Sequence, residues 1–401
     1  MNLRECASPF CDEEFLPRTH NQKYHTAQCK RDAENVARRQ IATYGTATLE
    51  REAFTIKEAQ TLAVELTADT SVEEQLDHLR TVNRTLAREN AKLKAAKYEI
   101  ASFVKEAVIE NIKDLNLAPV KKSTPASKSK GTPEVAIAQL SDWQIGKLTE
   151  SYNVDACEEA IEQFADKQIR ITEMQRSDHP VNDARIWLLG DMVEGEGIFP
   201  GQAHHLDKSL YYQVVVDGPR IIVNYLRRML GVYDRLHVVG IAGNHGRIGG
   251  RSYHEMNPET NADRMLYAIC RNMLEHEKRI TWDIPLESLE GDFYTIDTVG
   301  EKKHLLLHGH QFRSISGVEK RMMGWATGGI RDHFDYAHLG HLHTPTRLTV
   351  NRMTVWVNGS PETDNGYASE VMGASGRPCQ YLFFSHPQHG ITSEHCIYLE
   401  R

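Results

Sequence analysis

The last two-thirds of the chain predict an α/β architecture, on three observations. From residue 135 onward, short apolar runs alternate with longer stretches of helical period. Asp, Asn and His follow directly on the apolar runs. Glycines at 190, 243, 309 and 340 stand at the same junctions, where the backbone must turn sharply. Strand–helix alternation implies a central sheet covered by helices. In such sheets ligands bind where strands end and loops begin.

A chain of 401 residues is too long for one ordinary core, so two or more domains are expected. Four segments can be read. Residues 1–45 form a small Cys/His unit. Cys6, Cys11, His25 and Cys29 supply two pairs of borderline-to-soft ligands, which suits one tetrahedral structural zinc; His20 competes with His25. About 40 residues cannot build a core alone, so a metal staple makes physical sense. The segment resembles short treble-clef-like zinc fingers of nucleic-acid proteins. Lys23, Lys30, Arg31, Arg38 and Arg39 lie near it and could meet phosphates, although acidic residues nearly balance them. The seven cysteines are an odd number, three crowded at this end and four scattered, which fits a reducing compartment with one metal cluster better than a disulfide framework.

Residues 46–118 contain no Gly or Pro and read as helix. Leu79, Leu86, Leu93 and Ile100 repeat every seven residues, each preceded by three positions by Leu76, Asn83, Asn90 and Lys97. Apolar d positions with polar a positions predict a parallel two-stranded coiled coil over residues 72–104, and hence a homodimer. The alternative is an amphipathic helix folded onto its own chain. Residues 119–134, PVKKSTPASKSKGTPE, read as a flexible linker. No apolar run nears the roughly 18 residues of a membrane span, and the polar N-terminus does not look like a secretory signal. A cytoplasmic protein with no membrane partner is expected. The net charge of −8 argues against a wholly basic DNA-coating protein but not against a local basic patch.

Residues 135–401 form the large domain. Its predicted strands are Val135–Leu140, Ile186–Leu189, Leu236–Ile241, His304–Leu307 and Tyr336–Leu339, with helices over Val154–Arg176 and Leu210–Leu230. After the successive strands come Asp142 and Gln144, Asp191 and Glu194, Asn244 and His245, His308 and His310, and His341 and His343. Carboxylate, amide and imidazole groups are thus delivered to one sheet edge. Two divalent ions about 3.5–4 Å apart need a bridging carboxylate and further N and O ligands, and together they polarise a phosphoryl group. This donor set suits manganese, iron or zinc better than calcium.

The motifs Asp142-Trp-Gln144, Gly190-Asp191-Met-Val-Glu194, Gly243-Asn244-His245, His308-Gly309-His310 and Gly340-His341-Leu-His343 resemble, in order and type, those of the calcineurin-like metallophosphoesterase superfamily. Thr354–Val357 followed by Asn358-Gly359-Ser360 is similar to the turn after its last motif. The resemblance implies a four-layer α/β/β/α sandwich and a two-metal site; manganese is favoured over iron, zinc or magnesium because Gln144 can offer only an amide oxygen. It implies that Asp191 bridges the ions and that Asp142 and His343 bind the first, with Gln144 where the family usually has histidine. Asn244, His308 and His341 would bind the second. His245 would be general acid or transition-state donor, oriented by Glu194 where many members have aspartate. Gly246 replaces a commonly acidic residue, and Arg247 after it is a candidate phosphate clamp.

Three functions follow as expectations. The first is a nuclease similar to SbcD-type enzymes, which the Cys/His unit, the heptad and the lysine-rich linker favour. The second is a small-molecule phosphatase or cyclic-nucleotide phosphodiesterase. The third is a non-catalytic, zinc-dependent DNA-binding dimer.

Overall fold

The computed structural model describes residues 119–122, 129–198, 202–248, 260–285, 293–330, 332–362 and 377–399, together with residues 4, 5, 14, 15, 26 and 29. The chain divides into two compact units, Met1–Ala91 and Lys92–Arg401. In the first, β1 (Arg4–Glu5) pairs antiparallel with β2 (Glu14–Phe15). Cys6, Cys11, His25 and the heptad over 72–104 lie outside the described residues. Cys29 lies within them, with Thr26 Oγ1 3.1 Å from its Sγ.

The second unit begins with β3 (Glu134–Leu140), α1 (Val154–Gln175), β4 (Val181–Leu188), α2 (Gly218–Leu230), β5 (Arg235–Gly240), α3 (Ala262–Met273) and β6 (Ile280–Asp283). It continues with β7 (Thr295–Val299), β8 (Lys302–Leu307), α4 (Ile315–Gly324), β9 (Tyr336–Leu339), β10 (Thr346–Val350), β11 (Met353–Val357), β12 (Cys379–His386) and β13 (Gly390–Tyr398). Helix α1 starts where Asn153 caps the Ala156 N–H at 2.8 Å. A π-helical stretch, Tyr212–Asp217, leads into α2.

The strands form two sheets, a six-stranded one ordered β13-β12-β3-β4-β5-β6 and a five-stranded one ordered β10-β11-β9-β8-β7. Strands β3 to β6 run parallel, as do β8, β9 and β11. The period of two along each strand sorts the side chains into layers. Ala136, Ala138 and Leu140 join Phe164, Leu226 and Leu266 of the helices, whereas Ile137 joins Trp187, Leu306 and Trp356 between the sheets. Leu305 and Leu307 face the other way, onto Val318 and Met322 of α4. The result is the four-layer α/β/β/α sandwich. Each fully buried Leu, Ile or Phe in these layers contributes about 1.5–3 kcal/mol.

Alternation by itself implies a central sheet; the structure has two, as the resemblance implies. The run Leu305-Leu306-Leu307 is fully buried, so its strand needs cover on both faces: α4 on one and the first sheet on the other. The hairpin β12–β13, absent from the sequence reading, inserts beside β3 with every residue of β12 buried. The described ends of the 119–134 segment lie on the sandwich. The Val120 N–H donates to Glu277 Oε2 at 3.1 Å, Lys122 pairs with Asp234 at 2.8 Å, and Glu134 is already in β3. Among the described residues no helix is long and apolar enough to cross a membrane.

Candidate metal centre

Because β3, β4 and β5 are parallel, and β8 and β9 likewise, their carboxyl ends open toward loops that meet one another. The loops are stitched by main-chain bonds: Asp142 N–H to Gly190 O (3.0 Å), Gln144 N–H to Asp191 O (3.0 Å) and Gly340 N–H to His308 O (2.8 Å). Asp142, Gln144, Asp191, His341 and His343 all hold positive φ, between 45° and 70°. Non-glycine residues adopt this left-handed backbone only where the surroundings over-determine it, at about 1–3 kcal/mol each. At Gly243 a Cβ would collide with the Asp191 carboxylate and main chain, so glycine is what allows this approach.

Asp191 stands at the centre, 1% exposed. Its Oδ2 is 2.9 Å from His308 Nε2, and Asn244 Oδ1 lies 3.1 Å from the same nitrogen. His308 Nδ1 faces the carbonyl of Leu189 at 2.8 Å, which fixes the proton there and leaves Nε2 for the pocket. Asp191, His308 and His341 bring three ligand atoms within 4.8 Å of one another and could hold a metal ion. The electrostatics fit a cation. Burial would raise the Asp191 carboxyl, but His308, His245 and His341 outweigh it and hold it far below the usual carboxylate range. Burial alone would lower His308, yet Asp191 and Asp142 push it up to about 9. For His341, desolvation and then the charge of His308 lower it to about 3, and it is neutral. A divalent ion competes with the His308 proton for the same lone pair.

Asp142 and His343 form the other side of the pocket, with Asp142 Oδ1 3.2 Å from His343 Nε2. Burial opposes the Asp142 charge, but His343 prevails and its pKa is lowered. Its carboxylate also accepts the His341 N–H at 3.0 Å and the Ser141 hydroxyl at 2.5 Å. Gln144 is 2% exposed; its Nε2 is 3.4 Å from His343 Nε2, and its Oε1 accepts from Lys147 Nζ at 2.9 Å.

His245 is oriented from behind. Its Nδ1 lies 2.9 Å from the Glu194 carbonyl and 3.2 Å from Glu194 Oε2, so Nδ1 carries a proton facing two acceptors. Nε2 is turned toward the pocket, 3.9 Å from Asp191 Oδ2. Burial would lower this imidazole, but Asp191 and Glu194 raise it to about 10. For Glu194, burial is outweighed by His245, and its pKa is lowered. His310 stands with its ring 5.8 Å from that of His308; burial first, then the charges of His308 and Arg247, keep it neutral. Arg247 thus lies close enough to act on this group, its N–H 3.5 Å from Asn244 O.

Sequence reasoning missed the residues that hold the loops. Asp263, fully buried at the start of α3, accepts the main-chain N–H groups of Asp191 (3.0 Å), Met192 (3.1 Å), Val193 (3.2 Å) and Gly243 (2.8 Å). Burial and then the Asp191 charge raise it to about 6. Its own N–H is capped by Asn261 at 2.9 Å, and the Asn-x-Asp helix start was the only trace of this in the sequence. Ser360 donates to Asp142 O at 2.7 Å, while Gln380 accepts the Ser141 N–H at 2.9 Å.

No family model matches the chain, and no curated protein matches it. Among solved structures it is similar to an archaeal phosphodiesterase (12% identity, 66% of this chain and 99% of that one, TM-score 0.31). It is similar to Yfce, a phosphoesterase from E. coli (13% identity, 66% and 100%, TM-score 0.30). It is also similar to vacuolar protein sorting 29 from Cryptosporidium parvum (12% identity, 67% and 99%, TM-score 0.29). At such scores these likenesses add nothing to the reading of the site, which rests on its own residues.

Proposed function

We propose that the chain is a metal-dependent phosphoesterase of the calcineurin-like kind, acting on the phosphodiester bonds of nucleic acid. The observation that carries this reading is the convergence of Asp191, His308 and His341 next to an imidazole, His245, already held by Glu194. In this reading Asp191 would serve two divalent ions, manganese first among them. Asp142 and His343, with Gln144 beside them, would hold the first; Asn244, His308 and His341 would hold the second. When bound, the ions supply positive charge that polarises a phosphoryl oxygen. His245 holds a proton on Nε2 and gives it to the leaving oxygen, since Nδ1 is engaged by Glu194. Arg247 binds a phosphoryl oxygen.

Nucleic acid is the favoured substrate because of the Cys6/Cys11/His25/Cys29 unit with basic residues near it, the heptad over 72–104 and the four lysines of 119–134. The unit would bind one structural zinc and add affinity for long polymers, and residues 72–104 would make the protein a homodimer. Purified protein with manganese is to be incubated with labelled single- and double-stranded DNA, with RNA and with bis-p-nitrophenyl phosphate. Cleavage of a polymer together with the small diester is expected. Hydrolysis of the small diester alone would replace the nuclease by a small-molecule phosphodiesterase. Binding of DNA with no hydrolysis at all would leave a non-catalytic DNA-binding dimer.

A further inference from the structure

The Asp142 side of the centre holds a feature that the sequence motifs do not announce. Lys147 is 14% exposed at its side chain and reaches both Gln144 Oε1, at 2.9 Å, and Glu362 Oε2, at 2.8 Å. An ammonium has donors only, so the Gln144 atom it touches is the amide oxygen. The amide nitrogen is therefore the end that faces His343, at 3.4 Å. An amide NH₂ has no lone pair to give a metal. Among the described residues, the donors left on this side for an ion are Asp142, His343 and the shared Asp191.

The arrangement is held firmly. Glu362 has no exposed side-chain area, and its other oxygen, Oε1, has no hydrogen-bond partner among the described residues. Its N–H donates to Ser360 Oγ at 2.9 Å, and that hydroxyl donates to Asp142 O at 2.7 Å, so the loop bearing the counter-charge is tied to the metal loop itself. Withdrawing Lys147 would leave a buried carboxylate without a cation. The main chain also fixes Lys147 from below, its N–H donating to Gln144 O at 3.0 Å.

We propose that the Lys147–Glu362 pair is a built-in lock that holds Gln144 out of metal coordination, so that the centre has one tight divalent site, on Asp191, His308 and His341, and one weak site, on Asp142 and His343. This rests on the metal-centre reading given above. Gln144 is in this view a positioning residue whose N–H groups face the pocket as donors, able to meet an anionic oxygen there.

Manganese titration of the full-length protein, read by the EPR signal of free Mn²⁺ and by calorimetry, tests it without any assay of turnover. Wild type is expected to bind one equivalent tightly and a second at least about tenfold more weakly, within the range typical of a disturbed ligand shell. Gln144→Leu should leave both constants within about twofold, because no ligand is removed. Lys147→Met frees the amide oxygen and should tighten the second site by roughly 10–100-fold. The double variant Lys147→Met/Glu362→Gln serves the same purpose if the single one fails to fold. Loss of the second ion in Gln144→Leu, or an unchanged second constant in the double variant, would overturn the lock. Two equally tight ions in wild type would overturn the lock alone, whereas binding of no ion would overturn the metal reading and the lock with it.

Discussion

Two pairs of histidines, His304 and His338 on β8 and β9 and His308 and His341 just past the ends of those strands, have opposite surroundings. His304 and His338 lie between the sheets, both fully buried. They bond to each other (3.0 Å), and His338 bonds to Gln139 (2.8 Å) and stacks on Trp356. Among the described residues no carboxylate is hydrogen-bonded to them, and burial drives His304 down to about 3 and His338 well below the ordinary value. Four residues further along, past the end of β8, His308 meets Asp191 at 2.9 Å and is pushed up to about 9. Burial by itself strips a histidine of charge; burial beside a carboxylate makes a place for a cation. The first pair is packing and the second lines a candidate site.

The largest expected effect is at Asp191. Asp191→Asn removes the negative charge around which the pocket is built, and tight metal binding should be lost while the far-UV circular dichroism stays that of wild type. Metal content by mass spectrometry checks it, and full retention would mean that the carboxylate is not the organising ligand. Next, His245→Ala should keep the metal content yet cut turnover by roughly 10²–10⁴, the usual scale for a general acid. An unchanged rate with a poor leaving group would remove His245 from the reaction. Asp263→Asn replaces an acceptor of main-chain N–H groups by a poorer one. It should weaken metal affinity by about 10–100-fold, as second-layer changes do, with a calorimetric titration as the measure.

The smallest effect concerns the packing pair. The unfolded-state value of histidine is about 6.5, and folding lowers His304 to about 3. The unfolded chain therefore binds the extra proton between these values, so stability is full above about pH 6.5 and falls as the pH drops toward 3. The slope is about 1.4 kcal/mol per pH unit per proton. In His304→Phe the acid limb of urea stability against pH should be shallower by one proton. An identical limb would show that His304 is not buried neutral.

The contrast also shows what the sequence could carry. His308 and His341 were legible because each follows an apolar run and sits beside a glycine, and their place at a strand end is a one-dimensional property. His304 and His338 drew no attention, since an intersheet layer exists only once two sheets stack. The second sheet was legible only through the resemblance, because a run such as Leu305–Leu307 gives no sign of what covers its two faces. Asp263 reaches Asp191 across a sequence separation of 72, and Lys147 reaches Glu362 across 215. Such partners are set by the topology of the sheets, and no local pattern encodes them.

In the proposed function Asp191, His308 and His341 hold a metal ion. Crystals of the full chain grown with manganese and measured at the manganese absorption edge test it most directly. A strong anomalous peak within bonding distance of Asp191 Oδ2, His308 Nε2 and a ring nitrogen of His341 is the predicted result. A clear map with no anomalous density among these three side chains, under manganese in excess, would contradict it.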